Sequence, residues 1–98
     1  MDLAHALKVA LDTGKVKIGV HESMASADAK HARLLIISKS CPEPKLVEKN
    51  RYGKTPIYHF DGTSLELGAA CGRPFPISAI AILDPGSSAI LSLETGPS

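Results

Sequence analysis

The chain predicts an α/β fold, a three-layer α/β/α sandwich around a four-stranded mixed β-sheet. Three observations carry that expectation. Helical and strand-like patterns alternate as α-β-α-β-α-β-α-β along 98 residues, the order of a sheet with helices on both faces. The run Leu34-Leu35-Ile36-Ile37 is apolar without alternation, as in a strand covered on both sides. Hydrophobic residues make up 44% of the chain, with 4% aromatic and no Trp, so the layers must pack through aliphatic side chains. A length of 98 residues fits one domain, residues 1–98.

Each element has its own justification. Asp2 is a good N-cap, and Leu3, Leu7, Ala10 and Leu11 follow helical spacing up to Gly14. Val16, Ile18 and Val20 alternate with Lys15, Lys17 and Gly19, giving a strand with one buried face. Ser23 can cap a second, Ala-rich helix over Met24–His31. After the apolar strand comes a loop, Ser38–Pro42, and Pro44 can open a third helix that Tyr52-Gly53 ends. Thr55–Phe60 is a strand with Pro56 near its start. In Gly62–Phe75 the pair Thr63 and Glu66 fits a capping box, Leu65, Leu67, Ala69 and Ala70 form an apolar flank, and Gly72 and Pro74 stop the helix. Phe75, set between two prolines, is expected to be exposed. Ile77–Leu83 is a buried strand, Asp84-Pro85-Gly86 a turn, Ala89–Leu93 a last short element, and Thr95–Ser98 should fray. The aliphatic core and seven prolines fit a thermostable protein.

Composition excludes several classes. No apolar run approaches the roughly 20 residues of a membrane span, and the first residues lack a basic region and a cleavage site, so no signal peptide is expected. Cys41 and Cys71 form neither a disulfide framework nor a metal knuckle and suit a reducing, cytoplasmic setting. The four histidines show no metal-ligand spacing, and no cofactor motif is present: Gly68 and Gly72 are better explained by close helix packing than by a nucleotide fingerprint. His59, Asp61 and Ser64 are near in sequence but lie in no nucleophile elbow, so catalysis is not expected. Charge is uneven. Residues 1–54 hold ten Lys/Arg against six acids, and residues 55–98 hold one against four; the basic half can attract a polyanion.

Loops at one end of an alternating α/β sheet converge on one surface, and three of them carry binding chemistry. Gly19 permits a positive φ or close approach by another molecule. His21, Glu22 and Ser40 can hydrogen-bond base edges, the helix start expected at Ser23 favours a phosphate, and Phe75 can stack on a splayed base.

The segment GTSLELGAACGRPFPISAIAILDPG, with DTGKVKIGV, RLLIISKSCP and SSAILSL, resembles the superfamily of kink-turn RNA-binding ribosomal and ribonucleoprotein proteins, in its archaeal large-subunit form. The resemblance spans nearly the whole chain and is densest at residues 60–91. It implies the three-layer fold and a non-catalytic role in the large ribosomal subunit, in the cytoplasm. Implied partners are ribosomal RNA, read at the sheared G·A pairs and bulged nucleotides of a kink-turn, and other large-subunit proteins; free of RNA, a monomer is expected. It also implies an RNA-binding set of Gly19, His21, Glu22, Ser23, Ser40, Cys41, Pro42, Gly72, Arg73 and Phe75. Gly19 matches the glycine that closes on RNA, Glu22 the Glu that some branches use on a guanine, and Phe75 the stacking hydrophobe. His21 falls where members have Lys or Asn, and Ser40 where the loop usually reads Asn-Cys-Pro or Asn-Thr-Pro, so both departures weaken those contacts. The segment Glu43–Lys54 is shorter than the family's third helix. The alternatives are a ribonucleoprotein subunit guiding RNA modification and, from another class, a small hydrolase using His59 and Ser64.

Overall fold

All four side chains of Leu34–Ile37 are buried, because this strand has a neighbour on each side and helices over both faces. The computed structural model describes residues 3–48, 51–84 and 86. In chain order they form α1 (Leu3–Thr13), β1 (Lys15–Ile18), α2 (Val20–Asp28), β2 (Leu34–Ile37), α3 (Pro44–Val47), β3 (Arg51–Tyr52), β4 (Thr55–His59), α4 (Ser64–Ala70) and β5 (Ala79–Asp84). The sheet runs β1-β5-β2-β4-β3. β5 is antiparallel to β1 and β2, β2 is parallel to β4, and β3 is antiparallel to β4.

Alternation along β2 sends Leu34 and Ile36 to one face and Leu35 and Ile37 to the other. The first pair packs with Leu7 and Ala10 of α1, Leu67 of α4 and Ile80 and Ile82 of β5. The second packs with Ala27 of α2, Leu46 of α3, Ile57 and Ala81. The three layers are therefore α1/α4, sheet and α2/α3, and among the described residues every fully buried large side chain is aliphatic.

Several expectations are corrected. The sheet has five strands rather than four, because Gly53 does not stop a helix. It opens a two-residue hairpin turn with φ 62, which pairs Tyr52 with Thr55 and Arg51 with Pro56; glycine favours that turn position. The third helix consequently shrinks to one turn, Pro44–Val47. The second helix starts at Val20, not Met24, and Gly19 rather than Ser23 is its N-cap. Ser23 N–H already donates to Gly19 O at 2.9 Å, and the Ser23 side chain is fully buried.

Other expectations hold. In α4 the Thr63 hydroxyl accepts from Glu66 N–H and the Glu66 carboxylate accepts from Thr63 N–H, the reciprocal capping box, and Gly72 follows with φ 74. Leu65 and Ala69 depart from the expected apolar flank, both being exposed, and Leu65 is the larger departure. It is 67% exposed while Leu67 is buried, because it sits two residues from Leu67 and so on another side of the helix. Gly86 N–H donates to Asp84 Oδ1 at 2.9 Å, closing the expected turn. The Asp2 cap, Ala89–Leu93 and Thr95–Ser98 lie outside the described residues. No described helix is long and apolar enough to cross a membrane.

Candidate nucleic-acid interface

The strand directions decide which loops meet. β1, β2 and β4 point one way and β5 the other, so the exits of the first three and the start of the fourth share one end of the sheet. Backbone hydrogen bonds join them there. Gly19 N–H donates to Ala79 O at 2.8 Å, Ser38 N–H to Ser78 O at 3.0 Å, and Lys39 N–H to Gly62 O at 2.8 Å. Gly19 has φ 116 and ψ 155, a conformation open to glycine alone. A Cβ there would meet nothing within 4 Å. The requirement is thus conformational, and it lets the chain turn from β1 straight into α2 with the helix N-terminus facing solvent. His21 and Glu22, both exposed, stand in that first turn, where the Glu22 carboxylate suits the helix dipole.

Four hydroxyls tie the second and third loops together. Ser64 Oγ lies 2.8 Å from Ser38 Oγ, 2.9 Å from Ser40 Oγ and 2.9 Å from Ser78 Oγ. One hydroxyl can donate once and accept twice, so Ser64 can satisfy all three. Ser64 N–H, at the open end of α4, donates to Ser40 Oγ at 2.8 Å. Ser40 thus holds the β2–α3 loop against α4 and remains exposed. Neighbouring Pro42 is exposed, whereas Cys41 is turned inward to the α2/α3 core. Burial is the main cause that raises the Cys41 thiol pKa. Of the residues named from sequence, Ser23 and Cys41 therefore support the surface from beneath.

The segment after α4 doubles back along the helix. Arg73 N–H donates to Gly68 O at 2.9 Å and Ile77 N–H to Ser64 O at 2.9 Å. A Cβ on Gly68 would overlap the Phe75 carbonyl oxygen; only glycine lets the strap lie so close. Gly72 and Arg73 consequently stand at the far end of α4, where a methyl on Gly72 would lie 3.6 Å from Lys8 Cε of α1. Phe75, 47% exposed, lies partway back toward the serine cluster. Phe75 and Leu65 are the exposed large hydrophobics of the described residues.

The surface is electrostatically mixed. Lys39 Nζ lies 2.6 Å from Asp61 Oδ1; this hydrogen bond first, and then the opposite charge, raises the Lys39 pKa and lowers that of Asp61. Both groups are exposed, so water screens the pair. Ser64 Oγ is engaged by serines and Asp61 by Lys39. Among the described residues no group of three or more His, Cys, Asp or Glu could hold a metal ion. Sequence reasoning missed Ser38, Ser78, Lys39 and Leu65. The three serines Ser38, Ser64 and Ser78 each adjoin an apolar strand end or a helix start, a pattern that could have marked them.

Comparison with known proteins adds three findings. The model of the ribosomal protein L7Ae/L30e/S12e/Gadd45 family matches residues 1–92. A Methanococcus vannielii protein named large ribosomal subunit protein eL30 is 41% identical over 97 residues, 96% of this chain and 92% of its own length. Proteins of the same name from Methanococcus maripaludis and Methanothrix thermoacetophila are 40% identical over 97 residues and 37% identical over 93 residues. They are covered over 92% and 89% of their lengths, and this chain over 96% and 95%.

Proposed function

The chain belongs to the ribosomal protein L7Ae/L30e/S12e/Gadd45 family, and from that membership we propose that it is a non-catalytic constituent of the large ribosomal subunit that binds ribosomal RNA. The RNA is a kink-turn, and it sits on the three loops at the carboxyl end of the parallel strands. Gly19 brings the backbone and the α2 N-terminus to the RNA, with His21 and Glu22 on base edges. Ser40 and Pro42 form the second wall, and Phe75 supplies a stacking ring, with Gly72 and Arg73 extending the surface along α4. Ser23 and Cys41 shape it from below.

The observation that carries this reading is the junction of the loops, in which Gly19 N–H reaches Ala79 O and Ser64 reaches Ser40 and Ser78. Three loops fixed to one another present a preorganised surface, which lowers the entropy lost on binding. Ser40 serves within the protein the role of anchoring its loop, and its short side chain leaves base reading to Glu22 and His21.

Gel shifts with a kink-turn RNA test the reading. Wild type should bind and a G19A/F75A double variant, verified as folded by circular dichroism, should bind much more weakly. Equal weak binding by the two overturns it. Co-sedimentation with large subunits should accompany RNA binding, and sedimentation of the free protein should give a monomer.

A further inference from the structure

Opposite the loops, at the amino end of β2 and β4, the chain forms a cleft of about 310 Å³ between the turn after α2 and the β3–β4 turn. Lys30 lines it from the first turn and Lys54 from the second, and both are exposed. Lys30 has φ 61, alone among the described non-glycine residues. Glycine usually takes that place after a helix because a Cβ is strained there, yet this chain keeps a long cation at it. Asp28 is the carboxylate among the lining residues, and the Tyr52 side chain hydrogen-bonds it. Burial first, and then Asp28, raises the Tyr52 pKa, so the phenol remains a proton donor to that carboxylate. Exposed Arg33 and Arg51 stand at the same end of the sheet.

The charge at the two ends differs in sign. At the loop end Glu22, Asp61 and Glu66 accompany Lys39, which is tied to Asp61. At the cleft end Asp28 is the carboxylate lining the cleft, with Asp84 at the end of β5 and Glu43 acting on Tyr52, against Lys15, Lys30, Arg33, Arg51 and Lys54. The molecule therefore holds its excess positive charge away from the surface assigned to the kink-turn. From Ala32 to Lys39 along β2 the chain advances roughly 23 Å at about 3.3 Å per residue, so the two ends are far enough apart to meet separate stretches of nucleic acid.

We propose that this cleft binds the sugar–phosphate backbone of a second RNA segment. Lys30 and Lys54 straddle a phosphate, and Arg33 and Arg51 add attraction from its flanks. The contact reads no sequence, and it makes the protein a bridge between two RNA elements. The inference rests on the chain being an RNA-binding ribosomal protein, and not on the loop surface.

Anisotropy titrations with two labelled RNAs test it, one a short blunt duplex without internal loops and the other a kink-turn hairpin. The variant is K30G/K54A, since Lys30→Gly removes the cation and relaxes the backbone at once. Wild type should bind the duplex, and the variant should lose about tenfold in affinity at low salt, with the slope of log K against log salt shallower by about 2. Its kink-turn affinity should stay within about twofold of wild type, and G19A/F75A should bind the duplex like wild type. Protein carrying one equivalent of unlabelled kink-turn RNA should still capture the labelled duplex. The proposal is overturned by absence of duplex binding at about 50 mM salt, by an unchanged slope in K30G/K54A, or by competition between the two RNAs. It is likewise overturned if polyglutamate displaces the duplex as well as unlabelled duplex does, because the cleft would then select only charge. Loss of kink-turn binding in wild type with duplex binding retained would count against the loop surface and leave this proposal standing.

Discussion

Gly68 separates packing from propensity sharply. In an exposed helix, replacing glycine by alanine stabilises by about 1 kcal/mol. Here the added methyl would overlap the Phe75 carbonyl oxygen, so Gly68→Ala should destabilise by about 1–3 kcal/mol in urea unfolding and loosen the strap that carries Phe75. A gain in stability would show that the strap does not rest on the helix. Ser23 predicts the opposite sign. Its hydroxyl is buried without a hydrogen-bond partner, and such a group carries an uncompensated desolvation cost. Ser23→Ala should leave the unfolding midpoint unchanged or raise it. Cys71 gives a pH signature. Burial raises its thiol to about 11 from 9.0, so the folded state holds a proton that the unfolded chain releases between those values. Stability should therefore be present below about pH 9 and fall as pH rises toward about 11. Melting curves of Cys71→Ala should show a shallower decline over that window. Gly19 and Gly68 could be marked in the sequence as glycines near functional loops. Close packing at Gly68 was expected from sequence and is found against Phe75, whereas at Gly19 the sequence left torsion and close approach both open, and the φ of 116 with nothing within 4 Å decides for torsion.

Among the elements, α4 was the most legible, since its start and stop are written in local chemistry: Thr63, Glu66 and Gly72. Thr63→Ala should cost about 1 kcal/mol through the lost cap. Leu67→Ala should cost about 2–5 kcal/mol because Leu67 is fully buried and its removal opens a cavity. Leu65→Ser, two residues away and 67% exposed, should change stability by less than about 0.5 kcal/mol. Thermal or denaturant unfolding of the three variants checks the ordering. The β3 strand was illegible for a comparable local reason. Tyr52-Gly53 ends a helix and opens a hairpin equally well, and what decided the outcome was that Tyr52 packs on the α2/α3 core and pairs with Thr55. The start of α2 was missed because Ser23 is an ordinary capping residue, while the actual cap is a glycine whose carbonyl begins the helix.

At the scale of the whole molecule, the layered architecture followed from alternation and from the unbroken apolar run of β2. The convergence of the loops followed from strand direction. What composition could not convey was how charge is distributed in space. The basic first half of the chain contributes Lys30, Arg33, Arg51 and Lys54 to the end of the sheet away from the loops. Kink-turn binding should accordingly have a shallow salt dependence, with about two to four phosphate contacts at roughly 0.9 each in the slope. A slope near about −8 in a salt titration would place the main binding surface on the basic end.

The last described strand, β5, lies inside the sheet, hydrogen-bonded to β1 on one side and β2 on the other. During synthesis the first strand leaves the exit tunnel with its partner still about 60 codons away, and it stays unpaired until Ala79–Asp84 has emerged. Ala79 and Ser78, which fasten Gly19 and the serine cluster, arrive in the same late stretch. The nascent polypeptide therefore has no finished loop surface until this strand has emerged, and a truncated product lacking it should be cleared by proteolysis rather than assembled.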